Sequence, residues 1–227
     1  MTKGSLPPLV PGKDWLILCV PFILLFVYAS TYPFSDKLSS KTVSIRELST
    51  SQKMNIRTAV GRLNGTVINP GEEFSFNGIV GPRTVRRGYL PAPSYLGQES
   101  PTTIGGGICL VSSLVYQLAL EAGVEVSQRV AHLRTIKTVP PGLDATVWYD
   151  RADLRFKNNF RDPVVILAEA NASSLKVQLA GKRGQHQNAT IRRLITHRSP
   201  DHFTVEVFRR QDTDEKLVSR DLYRLAP

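Results

Sequence analysis

Gly105-Gly106-Gly107-Ile108-Cys109 runs straight into Leu110-Val111-Ser112-Ser113-Leu114-Val115-Tyr116-Gln117-Leu118-Ala119-Leu120-Glu121-Ala122-Gly123. Val111, Leu114, Val115, Leu118 and Ala122 recur at helical spacing and predict a helix with a core-facing stripe. Gly123 is a C-terminal stop. Three glycines ahead of the first turn leave room for something to approach the helix N-terminus, where Cys109 sits. Ser112, Ser113 and Tyr116 follow Cys109 at three, four and seven residues, so the cysteine shares their face and falls off the core stripe.

Working outward, the upstream pattern joins a loosely helical segment, Ser51–Leu63, to short strands at Thr66-Val67-Ile68 and Glu73-Phe74-Ser75-Phe76. Turns at Asn64-Gly65 and Asn69-Pro70-Gly71 divide them. Downstream the texture is β. Strands are expected at Val124–His132, Ala145–Tyr149 and Leu154–Phe156, with a hairpin of Pro163–Ala168 and Ser174–Leu179 around Asn171-Ala172. Beyond Gly184 the chain is more basic, with short strands expected at Thr190–Thr196, Phe203–Phe208 and Leu217–Tyr223. The expected fold is α+β, a mostly antiparallel sheet packed on the central helix that starts at the Gly-rich Cys109 loop.

The 227 residues are 41% hydrophobic and 21% charged, enough for one ordinary core without disulfide staples. No internal repeat or low-complexity tract is present. Trp15–Ser35 carries no formal charge over 21 residues, about the length that spans a bilayer core. Lys3 and Lys13 precede it, which predicts a cytoplasmic N-terminus and an outward-facing remainder. Trp15, Tyr28 and Tyr32 are placed like interfacial aromatics, and membrane helices tolerate a proline such as Pro21. A signal peptide cleaved after Val27-Tyr28-Ala29 is the alternative. A buried core helix is the other. The expected divisions are a cytoplasmic 1–13, a transmembrane helix or signal peptide over 14–33, a polar linker over 34–50, a main domain over 51–182 and a C-terminal β extension over 183–227.

The net charge is +10. Residues after 30 hold 27 basic and 18 acidic side chains, so an exported domain would attract anionic wall polymer or lipid headgroups. The basic residues are dispersed, without aromatic interleaving or a nucleic-acid motif, and no nucleic-acid partner is expected. No cofactor or metal is expected either. The chain has no Gly-Lys-Ser/Thr phosphate loop, no Cys/His spacing of a zinc site and no Gly-x-Ser-x-Gly elbow.

Cys109 and Cys19 are the two cysteines, and Cys19 lies in the hydrophobic N-terminal segment. Once the remainder is exported, Cys109 has no intramolecular disulfide partner, which suggests a reactive thiol or intermolecular pairing. A helix N-terminus and a nearby imidazole both favour the nucleophilic thiolate. Of His132, His186, His197 and His202, only His132 lies in the strongly patterned region. Asp144 follows twelve residues later, after Pro140-Pro141-Gly142, where an acid can orient the imidazole. The order Cys, His, Asp is similar to that of transglutaminases and other papain-like thiol enzymes. The Gly105, Gly106 and Gly107 amides are placed to meet an anion or a developing oxyanion. Arg83 and Arg87, beside Gly81-Pro82, are candidates to bind a carboxylate or phosphate. Each has a plain alternative: a packed cysteine, a hydrogen-bonded histidine, a turn-capping aspartate, sterically required glycines and solvated arginines.

Several stretches resemble the VanW family of cell-envelope proteins, named for an accessory gene of vancomycin-resistance clusters. They are Asn69-Pro70-Gly71-Glu72-Glu73-Phe74-Ser75-Phe76-Asn77, Val80-Gly81-Pro82-Arg83-Thr84 with Arg87-Gly88-Tyr89, and Gly105–Cys109. His132, Pro141-Gly142-Leu143-Asp144-Ala145-Thr146-Val147, Asp153–Asn158 and Pro163 continue the likeness. The family usually has glutamine after the cysteine, and Leu110 stands there. The resemblance implies a bacterial cell-envelope protein, typical of Gram-positive organisms. With the N-terminal segment read as a membrane anchor, the expected partners are the membrane and peptidoglycan stem peptides or other wall polymer. The resemblance supplies no mechanism. Two functions follow from the residues: a thiol enzyme using Cys109, His132 and Asp144, or a non-catalytic wall-binding or scaffolding module with a structural Cys109.

Overall fold

In the computed structural model, which describes residues 20–22, 24, 34–94, 102–182, 184 and 189–225, two glycines bracket the central helix. Gly107 at φ 98° starts it and Gly123 at φ 81° ends it, with the Gly123 amide donating to Ala119 and Leu120 carbonyls. The left-handed conformation at both ends costs glycine nothing sterically. The described residues form four antiparallel sheets. β1 (Asp36–Ser44), β9 (Ser174–Gly181), β8 (Val164–Ala170) and β2 (Thr66–Ile68) form one, in that order. β3 (Glu73–Ser75), β7 (Arg155–Lys157) and β6 (Glu125–Gln128) form a second, and β4 (Pro91–Pro93) with β5 (Thr102–Ile104) a third. β10 (Ala189–Arg198), β11 (His202–Gln211) and β12 (Asp214–Arg224) make a meander. α1 (Thr50–Leu63) lies on β8, a short α2 (Phe76–Val80) follows β3, and α3 (Ile108–Ala122) packs on β1, β9 and α1. The architecture is the expected α+β, mostly antiparallel fold.

The core is continuous. Leu114, Leu118 and Leu120 of α3 are buried with Ile56 and Leu63 of α1, Val164 and Ile166 of β8, and Val177 and Leu179 of β9. Each such side chain contributes about 2 kcal/mol by burial. α3 is buried all round except at Cys109 and Glu121. Its non-stripe face is covered by the extended segment 143–147, which two helix serines hold. Ser112 Oγ donates to the Ala145 carbonyl at 2.7 Å, and Ser113 Oγ accepts the Ala145 amide at 2.9 Å. Gln117 Nε2 donates to the Leu143 carbonyl at 3.2 Å.

Several local expectations are corrected. The strand expected at Ala145–Tyr149 is absent from every sheet, because its backbone groups bond to helix side chains and to Val130 rather than to a neighbouring strand. A single bridge, Trp148 to Ala152, remains. β6 stops at Gln128, short of the strand expected to reach His132. The linker expected over 34–50 contains β1, an edge strand paired antiparallel with β9 through a register shift between Lys37 and Ser39. Its polar composition reflects one exposed edge and face, while Leu38 and Ser39 are buried and Ser39 Oγ donates to Glu121 at 2.7 Å. Phe203, Val205, Val207 and Tyr223 bring the C-terminal meander into the common core. The membrane helix expected over 14–33 lies outside the described residues, apart from helical positions 20–22 and 24. Among the described residues no helix is long and apolar enough to cross a membrane.

Candidate functional site

Cys109 is the second residue of α3 and only half-buried. Its Sγ lies 3.7 Å from the Val147 carbonyl, on the segment the helix serines hold down. The same segment carries Asp144, and that carboxylate captures His132 twice. Asp144 Oδ2 accepts the His132 backbone amide at 2.7 Å and the ring Nδ1–H at 2.6 Å. With Nδ1 engaged, Nε2 is the ring nitrogen left for the thiol. Cys109 and His132 line one cavity of about 390 Å3, with Arg83, Gly105–Ile108 and Thr146–Tyr149 in its wall.

Asp144 is itself held by a second set of groups. Arg129 Nη2 donates to its Oδ1 at 3.1 Å and Arg129 Nε to its carbonyl at 2.6 Å. Arg129 also pairs with Asp221 of β12 and stacks on Tyr116, 5.0 Å from the ring centre. The Tyr223 hydroxyl donates to Asp144 Oδ1 at 2.5 Å and accepts the Gly142 amide at 2.6 Å. A fully satisfied buried network of this kind fixes one geometry.

The electrostatics follow from these contacts. Burial favours neutral His132, but the Asp144 hydrogen bond and the neighbouring Cys109 outweigh it and push the imidazole up to about 9. Burial raises Asp144, and it is outweighed by His132, the Arg129 charge and Tyr223, which hold the carboxyl down at about 2. Asp144 is therefore an anion that orients and charges His132, the part an acid plays in a nucleophile–imidazole–acid arrangement.

The glycines divide into two kinds. The Gly105 amide donates to the Leu90 carbonyl and the Gly106 amide to the Thr103 carbonyl, so neither is available to a ligand. Their duties are steric. A Cβ on Gly106 would lie 2.2 Å from the Ala92 carbonyl oxygen, and one on Gly105 2.8 Å from the Arg83 stem. The Gly107 and Cys109 amides have no acceptor among the described residues and stand at the helix N-terminus. They are the amides of this loop left free to meet a ligand.

Arg83 lines the cavity and Arg87 does not. Arg87 instead packs on Gly81 and donates to the Val80 carbonyl at 3.3 Å. Leu110 belongs to the core and stays outside the cavity wall. His197 and His202 face each other on the C-terminal meander, and His186 lies outside the described residues. Among the described residues no group of three or more His, Cys, Asp or Glu is placed to hold a metal ion. Sequence reasoning missed Arg129, Asp221, Tyr223 and Thr146. The two serines in the middle of a helix were the available signal that a polar segment crosses it.

The sequence matches the family model of VanW like protein over residues 51–180, more than half of the chain. The chain belongs to the VanW family. It is 39% identical over 129 residues to the Bacillus subtilis (strain 168) protein described as "Uncharacterized protein YoaR", covering 57% of this chain and 43% of that one. It is 30% identical over 112 residues to "Vancomycin B-type resistance protein VanW" of Enterococcus faecalis (strain ATCC 700802 / V583), covering 46% and 40%. The chain thus spans about two fifths of the length of these relatives. No solved structure matches it. Arg83, Cys109, His132 and Asp144 fall inside the VanW match, whereas Asp221 and Tyr223, which complete the surroundings of Asp144, fall beyond it.

Proposed function

We propose that this VanW-family protein is a thiol-dependent acyl hydrolase or transferase of the cell envelope, acting on peptidoglycan or a related wall polymer. The observation that carries the reading is His132, pinned through Nδ1 to the buried Asp144 and facing Cys109 across one cavity. Cys109 attacks an amide or ester carbonyl as its thiolate, with the thiol proton on His132. The Gly107 and Cys109 amides meet the oxyanion. Collapse breaks the acyl bond, and His132 gives its proton to the departing amine or alcohol. The resulting thioester is released by water or an acceptor amine, which loses its proton to His132.

The family and the +10 charge support an anchored, outward-facing domain with an anionic polymer as partner. The steric demands on Gly105 and Gly106 favour a second reading, a wall-binding or scaffolding module in which Cys109 only packs.

Incubation with purified peptidoglycan, followed by mass spectrometry of the released muropeptides, separates the two. The enzyme reading expects a changed muropeptide profile with the wild-type chain and none with Cys109→Ala. Binding to peptidoglycan with an identical profile for both proteins contradicts it.

A further inference from the structure

We propose that the Cys109 cavity selects ligands bearing a carboxylate, and that Arg83 selects them. This rests on the reading of Cys109 as a reactive thiol only in placing the carboxylate beside the reacting group.

Arg83 is fixed before any ligand arrives. Its Nη1 donates to Asn77 Oδ1 at 2.6 Å and to the Gly81 carbonyl at 3.0 Å. Its stem lies against Gly105, and its guanidinium sits 5.6 Å from the centre of the Phe76 ring. Among the described residues it forms no ion pair, and its Nη2 is buried without a partner. Asp153, whose charge it feels, is already engaged. The Asp153 oxygens take Ser75 Oγ, the Asn77 amide and Arg155 Nε.

The surroundings deepen the imbalance. Behind Arg83, Arg62 and Arg87 flank Tyr89, with Arg62 over its ring, and among the described residues Arg87 Nε is also buried without a partner. Thr146 Oγ1, in the cavity wall, is another such atom among the described residues. Among the described residues, three guanidinium groups therefore share this region with no carboxylate paired to any of them. Unpaired buried charge is costly, and unsatisfied groups in a native site call for a missing partner. The remaining wall is largely apolar, with Ile104, Ile108, Val147 and Trp148. A largely apolar cavity with a few fixed polar groups is the usual form of a small-ligand site. One edge of a guanidinium matches a carboxylate.

Two alkylating reagents that differ only in that group provide the test. Iodoacetate and iodoacetamide are reacted with the full chain, and modification of Cys109 is followed by peptide mass spectrometry. The acetate-to-acetamide rate ratio is expected to exceed that of glutathione by about tenfold. Arg83→Gln should lower it several-fold, leaving only the share due to His132, while Arg83→Lys, which keeps the charge, should retain more of it. A wild-type ratio equal to that of glutathione overturns the proposal. So does an Arg83→Gln variant that slows both reagents equally, since Arg83 then acts on the thiol. Inertness to iodoacetamide counts against the thiol reading alone. Trp148 fluorescence then still decides the carboxylate preference: titration with N-acetylalanine should change it and titration with N-acetylalaninamide should not. Equal responses to the two overturn the proposal.

Discussion

Tyr223, one residue from the end of the last strand, places its hydroxyl 2.5 Å from Asp144 Oδ1, across 79 residues of chain. The C-terminal meander is thus part of the machinery that orients His132. Replacing Tyr223 with Phe keeps the ring in the core and removes the hydroxyl. The buried Gly142 amide then loses its acceptor and Asp144 loses a donor. We expect a loss of about 1–3 kcal/mol, seen as a lower urea midpoint with an unchanged slope.

The His132–Asp144 pair makes stability depend on pH in a defined direction. His132 holds its proton more tightly when folded, at about 9 against a usual 6.5. Its contribution is complete below 6.5 and disappears as the pH climbs through 9. Asp144 shifts the other way, from 3.8 to about 2, so its contribution is present above 3.8 and disappears as the pH falls through 2. Thermal unfolding should therefore give a Tm that falls between pH 6.5 and 9. His132→Gln should flatten that limb. An equally steep limb in the variant would assign it to other groups.

Gly106 is the glycine of the loop with the least tolerance. Its added Cβ meets backbone, the Ala92 carbonyl oxygen at 2.2 Å, which cannot swing aside as a side chain does. Gly106→Ala should destabilise the chain by at least about 3 kcal/mol or prevent folding. Gly65→Ala has open space around it and only the cost of φ 81°, about 1 kcal/mol. Denaturant midpoints of the two variants check the order.

What the sequence made legible was local. Helical spacing between two glycine stops located α3, and the residue chemistry singled out Cys109, His132 and Asp144. β1 was obscured because an edge strand with one wet face carries the Ser, Thr and Lys of a linker. Ala145–Tyr149 has strand composition, yet its hydrogen bonds go to Ser112 and Ser113, and no local pattern records that choice. Gly105 and Gly106 looked like amide donors, but only the fold shows their amides spent on Leu90 and Thr103. Arg129 and Tyr223 reach Asp144 through tertiary contacts that leave no periodic trace.

On the proposed mechanism His132, oriented by Asp144, activates Cys109. The most direct measurement is the rate of iodoacetamide alkylation at Cys109, resolved from Cys19 by peptide mass spectrometry, at pH 7. Wild type should react several-fold faster than His132→Ala, with Asp144→Asn between them or equal to His132→Ala. Equal rates in all three proteins, or a Cys109 that stays unmodified in the folded wild type, would contradict it.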